Sequence, residues 1–245
     1  MREFRVFVPD LMNVGYSDRI SGLDGSLRGT AARVLEFLDQ VGIEKADILG
    51  SSHGGSVVME LAVLAPGRFR RMVLVSPSNP FAAHYEVVIK FYLSAIGSLV
   101  MRTAPFMPGW IWDHAIGRMY ADPSRMIAGT GIGYARPLRR PGTVRHIHGC
   151  LKTFVDDMEA LRPKLSAMAQ IPTLLIWGDR DPVVEIQSGY QLQKVLSAEM
   201  AVVPGIGHLP YEEAPEEFNR ILLEYLRKPS QPGDTEARRR RKTGQ

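Results

Sequence analysis

The pentapeptide Gly50-Ser51-Ser52-His53-Gly54 constrains this chain more than any other stretch. It fits G-x-S-x-G, a pattern that sets a serine on a tight turn between a strand and a helix. Such a turn strains the backbone, so the residues two away from the serine are small. It lifts the hydroxyl clear of the sheet. It also aims N–H groups of the helix N-terminus at any oxyanion that forms beside it. Ser51 does not fit this frame, because Leu49 and His53 occupy its flanking positions. The pattern alone is common in turns; its surroundings give it weight. Ala46 to Leu49 reads as a strand, and His53 to Ala65 as a helix that stops before Pro66-Gly67.

The same alternation recurs along the chain. Arg5 to Val8 reads as a first strand ended by Pro9-Asp10, followed by a loop from Leu11 to Gly25. Leu27 to Val41 has helical spacing and stops at Gly42. Met72 to Val75, Thr173 to Trp177 and Met200 to Val203 read as strands, and Glu185 to Leu196 and Glu216 to Leu226 as helices. Strands alternating with helices predict an α/β fold, a mostly parallel sheet flanked by helices. Residues 81–170 interrupt this order with helical patterns, aromatics and methionines but no strand signal. The expected organisation is therefore a core from residues 1–80 and 171–228, a helical insertion at 81–170 and a basic tail at 229–245.

Charge confirms the separateness of that tail. Its four arginines and one lysine against Asp234 and Glu236 give +3 of the chain's formal +4. A segment so rich in Pro, Gly and Arg cannot bury a core and is expected to be disordered. Its Arg238–Lys242 run is read as a solvated tail, and the near-neutral body predicts no nucleic-acid partner. Cys150 is the only cysteine, which excludes an internal disulfide. The N-terminus has no signal-peptide pattern and no run reaches membrane-spanning length, so a soluble, cytoplasmic protein is expected.

A serine at such a turn needs a base, and the base needs a carboxylate to hold its tautomer. In this kind of fold they follow in the order serine, acid, histidine. Trp177-Gly178-Asp179-Arg180-Asp181-Pro182 follows the strand at Thr173, and Gly205-Ile206-Gly207-His208 follows the strand at Met200. Both stretches lie where the carboxyl ends of parallel strands carry active-site loops. Ser52 is thus the candidate nucleophile, His208 the base, Asp181 rather than Asp179 the acid, and the His53 backbone N–H an oxyanion donor. Glu212 and Glu213, just before Pro215, are read as serving the N-terminus of the next helix.

These residues carry a family resemblance. Phe7-Val8-Pro9-Asp10 with Gly15-Tyr16-Ser17-Asp18, the acid loop through Asp181 and the histidine loop through Pro215 resemble the α/β-hydrolase superfamily. The likeness is to its lid-bearing esterases, lipases and carbon–carbon hydrolases. It implies an α/β-hydrolase fold, an insertion acting as a lid and the choice of Asp181. The serine at position 52 sets the chain apart from dehalogenases and epoxide hydrolases, which place an aspartate there. The family pattern normally opens with further strands and a His-Gly loop that supplies a second oxyanion donor. Here it begins at Arg5, so the chain is expected to be truncated relative to the family. A mis-assigned start, a fragment and a shortened variant are the readings open.

The activity implied is hydrolysis of carboxylic esters through an acyl-enzyme, on a small hydrophobic or aromatic substrate, with no cofactor. Carbon–carbon bond hydrolysis, haloperoxidase-like chemistry, acyl transfer or a catalytically impaired remnant are the alternatives. His146, His148 and Cys150 alternate as metal ligands on a strand would, but within an expected helix. No metal is expected.

Overall fold

The structure is a computed structural model that describes residues 3–83 and 85–228. The tail at 229–245 lies outside the described residues. Among the described residues four parallel strands form one sheet in the order β1 (Ala46–Ser51), β2 (Phe69–Val75), β3 (Thr173–Gly178) and β4 (Glu199–Val203). Around it lie α1 (Leu27–Gln40), α2 (His53–Leu64), α8 (Ile186–Leu196), the single turn α9 (Pro210–Glu213) and α10 (Pro215–Arg227). Between β2 and β3 the described residues form the α-helices α3 (Tyr85–Leu93), α4 (Ala95–Thr103), α5 (Gly109–Gly117), α6 (Thr130–Leu138) and α7 (Thr143–Leu161).

Period-two alternation divides the core. Met72, Leu74 and Leu175 point to one face, against Leu27 and Leu38 of α1, Met59 and Leu61 of α2, and Leu192 of α8. Val73, Val75, Leu174 and Ile176 point to the other, against Phe218 and Tyr225 of α10. β2 and β3 are apolar on both sides because helices cover both faces. Ser26 starts α1 by accepting the Gly29 N–H at 3.1 Å. Among the described residues no single helix is long and apolar enough to cross a membrane.

Arg5 to Val8 departs from expectation. The segment joins no ladder, and Val6 and Val8 are 75% and 89% exposed. A β-branched run becomes a strand only where a neighbour completes its hydrogen bonds, and β propensity is largely a measure of that fit. Within the described residues β1 has β2 on one side and no strand on the other. Arg5 to Val8 is held instead by side chains: Glu3 pairs with Arg227 at 3.0 Å, and Phe7 meets Phe37 of α1 edge-on.

Candidate active site

Parallel strands bring their carboxyl ends to one edge of the sheet, and all the candidate residues follow those ends. Ser52 succeeds β1, with φ 51° and ψ −124°, a conformation side-chain-bearing residues seldom adopt. Backbone bonds to the β2 end hold it there. Its N–H donates to Val75 O at 3.0 Å, and its carbonyl accepts from Ser78 N at 3.0 Å. His53 is the first residue of α2, so its N–H has no acceptor within the helix.

The two glycines of the pentapeptide are not equivalent. A Cβ on Gly50 would lie 2.3 Å from Gly54 O, whereas one on Gly54 would meet nothing within 4 Å. Small size is demanded at Gly50 and at Gly55, where a Cβ would strike Pro77, and not at Gly54. The steric requirement expected at both flanks falls on one of them and on the residue after the motif.

Asp181 and His208 come together with no solvent exposure on either side chain. Asp181 Oδ2 lies 2.8 Å from His208 Nδ1, and its Oδ1 accepts the N–H groups of Val183 and Val184 at 2.8 and 2.9 Å. Asp179, two residues earlier, is exposed and turns away to accept the Gly205 N–H at 2.6 Å. The two carboxylates are thereby divided, one onto the histidine and one onto the turn that leads to it. With Nδ1 donating to Asp181, His208 Nε2 is left as the acceptor. That atom is buried and has no hydrogen-bond partner. Ser52 and His208 are on the same sheet edge, and the bond between them is open in this structure. A buried polar atom left unpartnered is costly, and such atoms concentrate at functional sites.

The histidine loop is fastened by Glu213, which does not serve the next helix as its place before Pro215 predicts. Glu213 is 5% exposed, and its carboxylate accepts three N–H groups: Gly207 at 2.7 Å, Asp122 at 2.8 Å and Ala121 at 3.1 Å. Glu212 accepts the phenols of Tyr120, at 2.5 Å, and Tyr134. Burial first, and then this carboxylate, hold both phenols above the ordinary tyrosine range. Neither glutamate caps α10, whose N-cap, Ala214, offers no side-chain bond. They tie the residues around His208 to the segment between α5 and α6, and the His208 N–H itself donates to Met119 O at 2.8 Å. Gly207 permits the approach, since a Cβ there would lie 2.5 Å from Met119 O and Ala121 N. Local sequence pointed to the nearest helix start. Two of the three backbone groups Glu213 serves, those of Ala121 and Asp122, lie about 90 residues away.

Aromatic groups from the helices between β2 and β3 flank the serine turn. Phe154 of α7 lies 6.1 Å from the His53 ring and 5.1 Å, edge-on, from Tyr85 of α3. Burial raises the Tyr85 phenol to about 12. Burial likewise lowers His53, against the opposing pull of Asp157. His146 and Cys150 share one face of α7 at 3.7 Å, while His148 turns away to Ser98 Oγ at 3.1 Å. On a helix, residues two apart diverge, so these three do not converge on one point. Among the described residues no group of three His, Cys, Asp or Glu side chains could hold a metal ion.

A parallel sheet between helices, a strained serine at a strand-to-helix turn and a buried Asp–His pair on neighbouring loops together define an α/β-fold hydrolase. The comparisons agree: the alpha/beta hydrolase family model matches residues 1–221, and the chain belongs to that family. A relative in Pseudomonas savastanoi pv. phaseolicola, named "Putative carbamate hydrolase RutD", is 32% identical over 231 residues, covering 92% of this chain and 84% of its own. Carboxylesterase YbfK of Bacillus subtilis is 24% identical over 230 residues, 91% of this chain and 72% of its own. The dihydrolipoyllysine-residue acetyltransferase component of the acetoin cleaving system of Pseudomonas putida is 27% identical over 92% of this chain, which spans only 57% of that protein's length. Among solved structures, 2-hydroxy-6-oxo-6-phenylhexa-2,4-dienoate hydrolase (BphD) from Rhodococcus sp. superposes with a TM-score of 0.71. The match has 22% identity and covers 90% of this chain and 79% of that one.

Proposed function

We propose that this hydrolase cleaves carboxylic esters through an acyl-enzyme on Ser52. The observation that carries the reading is the buried Asp181–His208 bond with an open Nε2 behind it. In the first step Ser52 Oγ bonds to the ester carbonyl carbon while Nε2 takes the hydroxyl proton. Collapse of the tetrahedral intermediate breaks the C–O bond, and His208 returns the proton to the departing alcohol. Water then repeats the sequence and releases the acid. Asp181 holds the tautomer and offsets the positive charge that His208 carries between steps. The His53 N–H donates to the oxyanion.

Tyr85 and Phe154 support a small hydrophobic or aromatic substrate, with the helices between β2 and β3 serving as a lid over the serine. The same reading keeps the enzyme in the cytoplasm, in line with its single cysteine. The test is turnover of a panel of p-nitrophenyl esters by the wild type and by Ser52→Ala. A loss of several orders of magnitude in the variant is expected, and equal rates would overturn the assignment. Cleavage of a ring-cleavage diketone with none of any ester would move the same residues to carbon–carbon hydrolysis.

A further inference from the structure

Helix α4 is inside out. Ile96, Leu99 and Val100, spaced as one helical stripe, are 71%, 62% and 37% exposed. The residue that packs is Gly97, where a Cβ would lie 2.0 Å from Phe91 O. A surface helix normally turns its apolar stripe to the core. Helix α3 buries Ile89 in the core yet leaves Val87 and Phe91 71% and 47% exposed. The patch continues past α4 to Phe106 and Trp110, 71% and 70% exposed, and the Trp112 indole N–H, bonded to Ala104 O at 2.9 Å, joins α5 to that end. Large apolar side chains exposed in this number along consecutive helices mark an interaction site.

Charge indicates the partner. Residues 85–145 contain eight Lys and Arg against three Asp and Glu, a net +5. Arg102 rises exposed from α4, and Lys90 rises from α3 in a solvent-exposed ion pair with Glu86 at 2.9 Å. Arg139 donates to Pro105 O at 2.7 Å, which brings another exposed guanidinium beside Phe106. A second copy docked by the same face about a two-fold axis would set this positive surface against itself. An anionic surface would complement it.

We propose that α3, α4 and the start of α5 dock on an anionic lipid bilayer. Phe91, Leu99, Phe106 and Trp110 enter the headgroup boundary, and Lys90, Arg102 and Arg139 meet the lipid phosphates. The contact is shallow, because α3 and the α4 segment diverge by 81° rather than forming one span. This proposal does not depend on the ester reading.

Flotation of the full chain with vesicles tests it, using phosphatidylcholine alone and phosphatidylcholine mixed with phosphatidylglycerol. The wild type is expected to float with the mixed vesicles and much less with the neutral ones. Arg102→Gln combined with Arg139→Gln should weaken partitioning roughly thirtyfold. Leu99→Glu, at an exposed site where circular dichroism can verify folding, should abolish it. No flotation with either vesicle overturns the proposal. So does flotation unchanged by Leu99→Glu, since binding would then come from elsewhere, the Arg238–Lys242 run included. A dimer in sedimentation velocity that Leu99→Glu dissociates, without vesicle binding, would assign the face to a second copy instead.

Discussion

The two halves of the candidate site are held in different ways. On the β3–β4 side, Asp181 and His208 are fixed by side-chain carboxylates reaching backbone N–H groups: Asp181 to Val183 and Val184, Asp179 to Gly205, Glu213 to Gly207. On the β1 side, Ser52 is fixed by backbone alone, through its positive φ and its bonds to Val75 and Ser78. The first half therefore fails one carboxylate at a time. The second fails only when its backbone geometry is disturbed.

The largest expected effect separates the two aspartates. Asp181→Asn should lower kcat by about 10⁴-fold while the fold survives, because an amide cannot hold the histidine tautomer as a carboxylate does. Asp179→Asn, on an exposed turn, should change kcat far less. Ester kinetics on both variants decide it; the reverse order would place the functional carboxylate on the other residue.

Next comes Glu213. Truncation to Ala leaves three N–H groups without their acceptor, at about 1–3 kcal/mol for each that water cannot reach. A lower melting temperature and a lower kcat are expected together, with Glu213→Gln recovering part of both. Unchanged kcat in a folded Glu213→Ala protein would show that the histidine loop holds its place without this anchor.

The β1 side should respond to glycines instead. Gly50→Ala forces a Cβ against the Gly54 carbonyl and should cost about 1–3 kcal/mol or more. Gly54→Ala has open space at a helix position and should be neutral, or stabilising by up to about 1 kcal/mol. Urea unfolding of the pair would break the comparison if the two variants behaved alike.

The smallest effect is one of pH. Burial holds His53 below the ordinary value of 6.5, and burial together with Arg33 and Arg19 does the same to His146. Each folded value lies below the unfolded one, so the unfolded chain binds protons first as pH falls. The contribution of these two histidines is therefore fully present above 6.5 and is lost as the pH drops through and below it. His53→Gln and His146→Gln should each flatten that decline in denaturant titrations. Profiles parallel to the wild type would exclude these two histidines as its source.

The sequence by itself determined what depends on local periodicity and turn chemistry. β1 through β4 lie within a few residues of their apolar runs, and the Ser52 turn follows from a glycine-flanked serine between a strand and a helix. Asp181 and His208 were legible as loops after strands, though choosing Asp181 over Asp179 rested on family likeness until geometry divided them. Tertiary structure decided what needs a distant partner. Arg5 to Val8 has strand composition, yet no neighbour completes its ladder, so it stays outside the sheet and exposed. Glu213 lies two residues before Pro215, yet its carboxylate serves backbone groups near residue 121. The stripe on α4 reads as a core face, yet Gly97 takes the packing side and turns Leu99 to solvent. Helical spacing shows that a face exists. Which way it points depends on what packs against the opposite side, and that neighbour is brought there only by the fold.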